Sequence, residues 1–348
     1  MTRVHDIAVV GGCVMMPVAL RTAVCGAVAY LSAALCFATV AVGTAAAAQT
    51  FPQRPVRLIV PFPAGGGVDA VARVCAQKLA ELLGEQVVID NRAGSGGVIA
   101  AEIAAHSAPD GHTLFFGGSA SHGVTPHLYR KLPYDAVRDF APVTLIGATP
   151  YILVVHPAVA APGARELINL ARAQPGALNY SSAGNGSTTH LTTEMFKSMA
   201  NINIVHVPYK GAVPALNDLL SGQVQVAFNP AVVVQQHVRS GRLRALAVTG
   251  LQRTRLMPEL PTLAESVLPG FEASGWYGLL APAGVSALIV ARLHDAMTTG
   301  LADRDLQERF LVLGVDAIGA SPAEFARYIR SELVKWGRVV RDSGARAD

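Results

Sequence analysis

The chain has 348 residues, 51% of them hydrophobic, with 28 basic and 24 acidic side chains. That length holds two domains of ordinary size. A net charge of +4 without a basic stripe argues against nucleic acid as a partner and suits a small anionic ligand.

Residues 1–48 read as a leader. Arg21 precedes the uncharged run TAVCGAVAYLSAALCFATVAV, and Ala46-Ala47-Ala48 gives a small-residue end before Gln49. These are the parts of a secretory signal peptide. The run is also long enough to anchor in a bilayer, but no basic stop-transfer residues follow it, so cleavage before Gln49 is expected. Val10-Gly11-Gly12-Cys13 resembles a lipoprotein box behind too short an apolar run, and Met15 or Met16 offers an alternative start. Cleavage would remove Arg3, Arg21 and Asp6, leaving 300 residues with 26 basic and 23 acidic side chains, a net of +3. Cys75 is the one cysteine that remains. It has no partner for an internal disulfide and reads as a buried small apolar residue.

After the leader, VRLIVPF reads as a buried strand and Val68 to Leu83 as a helix. Val68, Val71, Cys75, Leu79 and Leu82 recur at spacings of three and four and share one face. QVVID is the next strand, NRAGSGG a turn, VIAAEIAAHS a second helix and TLFFGG a third strand. Strand–helix–strand order at this spacing implies parallel pairing in an open α/β sheet. FAPVTLIGATPYILVVHP then reads as one extended segment, or two strands joined at Gly147. A second α/β unit follows: helix 164–174, strand LNYSS, turn AGNGS, helix 188–199, strand INIVHVPY, helix 213–221, strand VQVAFN, a helix and strand LRALAVT. FEASGWYGLLAPAG is another extended segment, with helices from there to the end. Two extended segments between two similar units predict hinge crossings. The first lobe is expected to combine 49–148 with 273–348, and the second to be 149–272.

Four turns could carry chemistry. Pro63-Ala64-Gly65-Gly66-Gly67 opens the first helix, where glycines admit a ligand to the backbone and unpaired N–H groups point at it. Asp69 follows in the first helical turn, favourable to the helix dipole. This is neither a G-x-G-x-x-G fingerprint nor a P-loop. The stretch from Gly117 to Gly123 supplies Ser119 and Ser121 and narrowly misses the G-x-S-x-G elbow, because Ser121 stands where glycine is required. Ser181 to His190 repeats the strand–glycine–helix pattern with hydroxyls and an amide, and Ser187 or Thr188 could cap the helix. Val207 to Leu216 supplies Tyr209 and Lys210. His106, His112, His122 and His127 lack a metal-ligand spacing and read as surface or turn histidines. Anion-friendly backbone turns without a clear nucleophile, base, metal or cofactor favour capture over conversion. The rival reading is a secreted serine hydrolase using Ser119.

The stretches RLIVPFPAGGGVDAVAR, VVIDNRAGSGG, APDGHTLFFG, LPYDAVRDFAPV, LNYSSAGNGS, VPYKGAVPALNDLLSGQV, GRLRALAVTG and PTLAES occur in that order between about Phe51 and Gly344. In this order the chain resembles the substrate-binding proteins of tripartite tricarboxylate transporters, the Bug family. The resemblance implies a two-lobed α/β fold similar to type II periplasmic binding proteins. It also implies no catalysis and no cofactor, a small organic carboxylate as ligand, and membrane permease subunits as partners, with a membrane sensor as an alternative. A monomer is expected. Carried over by motif, it points to Ala64, Gly65, Gly66, Asp69, Ser119 and Ser121 in the first lobe. In the second it points to Asn185, Gly186, Ser187, Thr188, Tyr209 and Asn229. Asn229 falls in AFNPA, where many relatives carry an acidic residue, so a ligand preference is not inherited with the fold.

Overall fold

A computed structural model describes residues 51–346; the expected leader lies outside them. Ten strands form one continuous hydrogen-bonded system with the path β2-β1-β3-β9-β4-β7-β5-β6, and β8 and β10 pair with β4 off that path. The first strands, β1 (Val56–Val60), β2 (Val87–Asn91) and β3 (Thr113–Gly118), pair in parallel, as the strand–helix–strand order requires. Helices α1 (Gly67–Leu83) and α2 (Val98–Ala105) connect them. Val71, Cys75 and Leu79 of α1 are buried and form one stripe, whereas Val68 and Leu82 at its margins are half-buried. Cys75 is a free, buried thiol whose pKa burial drives far up, so it packs as a small apolar group.

After β3 the chain makes a single π-helical turn (Ala120–Val124) and the short helix α3 (Thr125–Leu128). It then enters β4 (Phe140–Val155), which is one sixteen-residue strand; Gly147 does not break it. β4 pairs antiparallel with β9 (Ser274–Pro282) from Phe140 to Pro150, then with β7 (Val226–Pro230) and β8 (Arg244–Val248) from Tyr151 to Val155. Bulges between Pro142 and Thr144 and between Leu145 and Gly147 let so long a strand twist. Around its second half stand α4 (Ala164–Ala173), β5 (Asn179–Ser182), α5 (Thr188–Ala200), β6 (Val205–Pro208), α6 (Ala212–Leu220) and α7 (Ala231–Arg239), followed by the short α8 (Leu263–Ser266). β5 pairs in parallel with both β6 and β7.

The chain ends in α9 (Ala287–Leu301), α10 (Arg304–Val312), β10 (Asp316–Ala320) and α11 (Pro322–Ser343). The strand β10 corrects the expectation of helices alone. It pairs antiparallel with β4 near Gly147, and its apolar signal is only DAIGA, interrupted by Gly319. Helix α11 is fixed at its start by a capping box between Ser321 and Glu324. Its two ends pack in different cores. Phe325 and Ile329 join Ile59, Phe115 and Trp276, whereas Trp336, Val339 and Val340 join Tyr180, Leu191 and Phe196. Gly278 makes the first contact fit, since a Cβ there would fall inside the Phe325 ring. No described helix is long and apolar enough to cross a membrane.

Candidate functional site

A cavity of about 460 Å³ opens where four segments meet. The turn after β1 contributes Pro61 and Phe62. The segment after β3 contributes Gly117 to Ser121 and, from α3, Leu128 and Tyr129. The turn before α5 contributes Asn185 to Thr188, and the paired strands β4 and β9 contribute Tyr151 and Gly275 to Tyr277. Among the described residues its lining contains no charged side chain. Polar groups in the lining are hydroxyls, an amide and backbone N–H, set among aromatic and aliphatic walls.

Of the residues expected from sequence, Ser119, Ser121, Asn185, Gly186, Ser187 and Thr188 line this cavity together. Ala64, Gly65, Gly66 and Asp69 do not, although their flanks Pro61, Phe62 and Val68 do. The reason is visible in the hydrogen bonds. Asp69 is buried and turns back on its own loop, taking the N–H of Gly65 (2.8 Å), Arg73 Nε (2.8 Å) and Asn91 Nδ2 (3.0 Å). Gly65 has φ +81°, the left-handed region that admits glycine readily, and that conformation lets its N–H reach the carboxylate. Gly66 has φ −79°, and a Cβ there would meet only the Pro63 carbonyl oxygen at 3.4 Å. The glycine loop is thus shaped by an internal carboxylate.

Burial pushes the Asp69 carboxyl upward, but donation from Arg73, Gly65 and Asn91 outweighs it and holds the pKa at about 2. A depressed carboxyl contributes stability that is present above the unfolded value near 4 and is lost as pH falls toward 2. Asp69→Asn is therefore expected to cost about 1–2 kcal/mol at pH 7. The difference from wild type should shrink below about pH 4. Urea melts at pH 7 and pH 3 measure both, and an equal cost at the two pH values would contradict the assignment.

Tyr209 and Asn229 also lie outside the lining. The Tyr209 hydroxyl donates to Asp218 Oδ2 at 2.6 Å and is spent within its own unit. Asn229 sits opposite Ile152 in the β4–β7 ladder, one residue out of phase with the cavity-lining Tyr151, so alternation sends it to the other face.

Two hydroxyls are set to donate. Tyr151 O–H donates to Thr188 Oγ1 at 2.8 Å. Burial pushes the Tyr151 phenol up to about 12 even though the Thr188 bond lowers it, so it stays a neutral donor. A hydroxyl that accepts keeps its own proton, which leaves Thr188 able to donate onward in a polarised chain. The Ser119 hydroxyl has no hydrogen-bond partner among the described residues, so no imidazole is bonded to it; His122 Nδ1 is bonded to Ser121 instead. Ser121 is instead a staple of its turn: its Oγ contacts the N–H and C=O of Gly118, both at 3.3 Å, and His122 Nδ1 at 3.0 Å. His122 corrects the expectation of surface histidines. It is fully buried against Phe115, Tyr134, Phe140 and Trp276, and burial lowers its pKa to about 3, so it is neutral.

The turn before α5 rests on stacked rings. Tyr180 lies on His206 at 4.7 Å and His206 on His190 at 4.1 Å. His190 Nδ1 accepts the N–H of Gly186 (3.1 Å), and Ser187 Oγ caps α5 by accepting the N–H of His190 (3.2 Å). Burial, with His190 beside it, lowers His206 to about 4, and burial lowers His190 as well. Both rings are therefore uncharged at neutral pH. Sequence reasoning missed Phe62, Phe116, Tyr129, Tyr151 and Tyr277 as lining. The available signal was a tyrosine within each extended crossing, at Tyr151 and Tyr277.

Residues 71–345 match the family described as tripartite tricarboxylate transporter family receptor, TctC. The chain belongs to this family. TctC relatives share most of its length. It is 37% identical over 310 residues to protein BugT of Bordetella pertussis, covering 89% of this chain and 95% of BugT. Among solved TctC-like structures, an R. palustris protein with adipate is 35% identical with a TM-score of 0.72, covering 85% of this chain and 99% of that one. MatC from Rhodopseudomonas palustris with bound malate is 33% identical with a TM-score of 0.68, covering 83% and 100%. The family is one of receptors with a two-lobed periplasmic binding fold, not of enzymes, and the hydrolase alternative at Ser119 has no support.

Proposed function

We propose that this TctC receptor captures a small organic carboxylate in the cavity between β4, β9 and the turns before α1 and α5, and releases it to membrane permease subunits. The observation that carries this reading is a cavity rich in neutral donors and free of charged side chains. An anion meets Thr188, Ser119, Asn185 and helix-start N–H groups with no acid among the lining side chains. The start of α1 has no side-chain cap, so its first N–H groups stay available. Adipate and malate, held by two solved relatives, set the size class to try first.

The same proposal takes residues 49–148 with 273–348 as one lobe and 149–272 as the other, closing over the ligand as a monomer. Closure removes water and strengthens each neutral hydrogen bond. Export with cleavage before Gln49 places the receptor in the periplasm.

A thermal-shift screen of mono-, di- and tricarboxylates tests the reading. A true ligand at a hundred times its Kd should stabilise the protein by about 2.7 kcal/mol. Thr188→Val should then weaken calorimetric binding by about 0.5–1.5 kcal/mol. A protein that no carboxylate stabilises would sink the proposal.

A further inference from the structure

A second cavity, of about 470 Å³, lies on the other side of the same two strands. In the β4–β9 ladder Ala148 faces Trp276, Pro150 faces Ser274 and Thr149 faces Gly275. Alternate side chains leave a strand on opposite faces. Tyr151, Gly275 and Tyr277 line the first cavity, whereas Ala148, Pro150 and Ser274 line the second. The strands are thus a floor shared by two cavities, front and back.

The back cavity has one wall from β10 and α11, with Ile318 and Tyr328, and another from the loop after β8, with Gly250 to Arg253 and Arg255. Its charges are unevenly used. Arg253 is bound to Glu265 at 2.9 Å, and Glu272 is bound to Lys335. The exposed Arg255 guanidinium has no ion-pair partner among the described residues. Its backbone N–H bonds the half-buried Asp316, a lining carboxyl that the Arg255 charge also attracts from beyond ion-pair distance. Beside it Ile318, 49% exposed, Pro150, Ala148 and the Tyr328 ring form an apolar surface. A planar cation without a close ion pair, next to an apolar slot, suits a monoanion with a flat apolar body.

The two cavities are also joined by a chain of contacts. Glu272 pairs with Lys335, Lys335 with Glu332, and Glu332 Oε2 accepts the indole N–H of Trp276 at 2.9 Å. Trp276 borders the front cavity, and its indole packs against Tyr328 with ring centroids 5.7 Å apart.

We propose that the back cavity is a second small-molecule site, for an aromatic or similarly flat monocarboxylate, whose occupancy is thermodynamically linked to that of the front. The linkage rests on the lobe closure proposed above. Walls that approach at the front separate at the back, so a molecule wedged there shifts the equilibrium, and the effect is reciprocal.

The probe is 4-fluorobenzoate, followed by fluorine NMR on the full mature protein with Arg255→Ala and, as the front-cavity variant, Gly186→Val. The expected result is a bound resonance that survives Gly186→Val and is weakened about tenfold or more by Arg255→Ala. Saturating probe should also change the front affinity for the best carboxylate of the screen by about threefold or more. A bound resonance lost in Gly186→Val and kept in Arg255→Ala, or none up to about 10 mM probe, overturns the site. A retained back resonance with unchanged front affinity overturns the linkage. Carboxylate binding that Gly186→Val leaves intact would count against the front-cavity reading instead, so the two failures are told apart.

Discussion

Glu332→Ala is expected to destabilise the protein by about 3–5 kcal/mol, the usual cost of removing one partner from a buried charge network. Glu332 is 2% exposed and lies between the only two tryptophans of the chain. Both indoles, Trp276 and Trp336, donate to its Oε2 at 2.9 Å, and Lys335 pairs with its other oxygen. Burial pushes the Glu332 carboxyl upward against the pull of Lys335. Without it, two buried N–H groups lose their acceptor and Lys335 keeps only Glu272. Glu332→Gln should cost less, because its carbonyl still accepts from an indole while the ion pair is gone. Guanidinium melts followed by tryptophan emission measure both variants. If Glu332→Ala costs under about 1 kcal/mol, the network is not holding α11 to β9.

Gly186→Val is expected to raise the Kd of the front carboxylate by about a hundredfold or more, close to 2.7 kcal/mol. Gly186 has φ +73°, where a β-branched residue is strained, and a Cβ there would sit 3.1 Å from Leu128 Cδ1. The turn would have to open, taking its N–H off His190 and displacing Asn185 and Thr188 from the lining. The folding cost should stay near 1–2 kcal/mol, because Asn185 to Thr188 are exposed or half-buried and α5 keeps its buried face. Calorimetric titration beside a denaturant melt separates the two effects. A folded variant that binds as wild type would show that this turn is only a connection.

Much of the architecture was legible because it rests on local pattern. The spacing of Val71, Cys75 and Leu79 is a helix stripe in any context, and parallel β1–β3 follows from the length of the connections. Ser119 and the Asn185–Thr188 turn stand in the cavity lining because each follows the end of a strand, where a glycine turn brings backbone and hydroxyls to the strand ends. The placement of Asp69 was not legible. A carboxylate in a first helical turn looks the same whether it faces a ligand or folds back on Gly65, and only Arg73 and Asn91 in three dimensions decide it. Asn229 lies outside the lining because of its strand phase, and Tyr209 is bonded to a local partner, Asp218. β10 was missed because it is held by long-range pairing to β4 more than by its own five residues.

The long strand β4 has a mechanical consequence. It runs from Phe140 to Val155 without a break, laddered to β9 over its first part and to β7 and β8 beyond Tyr151. Halves joined this way are not strung on a slack tether. They are mounted on a ribbon that resists stretching and yields chiefly by twisting, with the bulges before Thr144 and Gly147 as its softest points. Opening the cleft would then wind or unwind this ribbon with its amide protons still locked. Exchange with heavy water should stay slow along the crossing while exposed turn amides without a hydrogen-bond partner exchange fast.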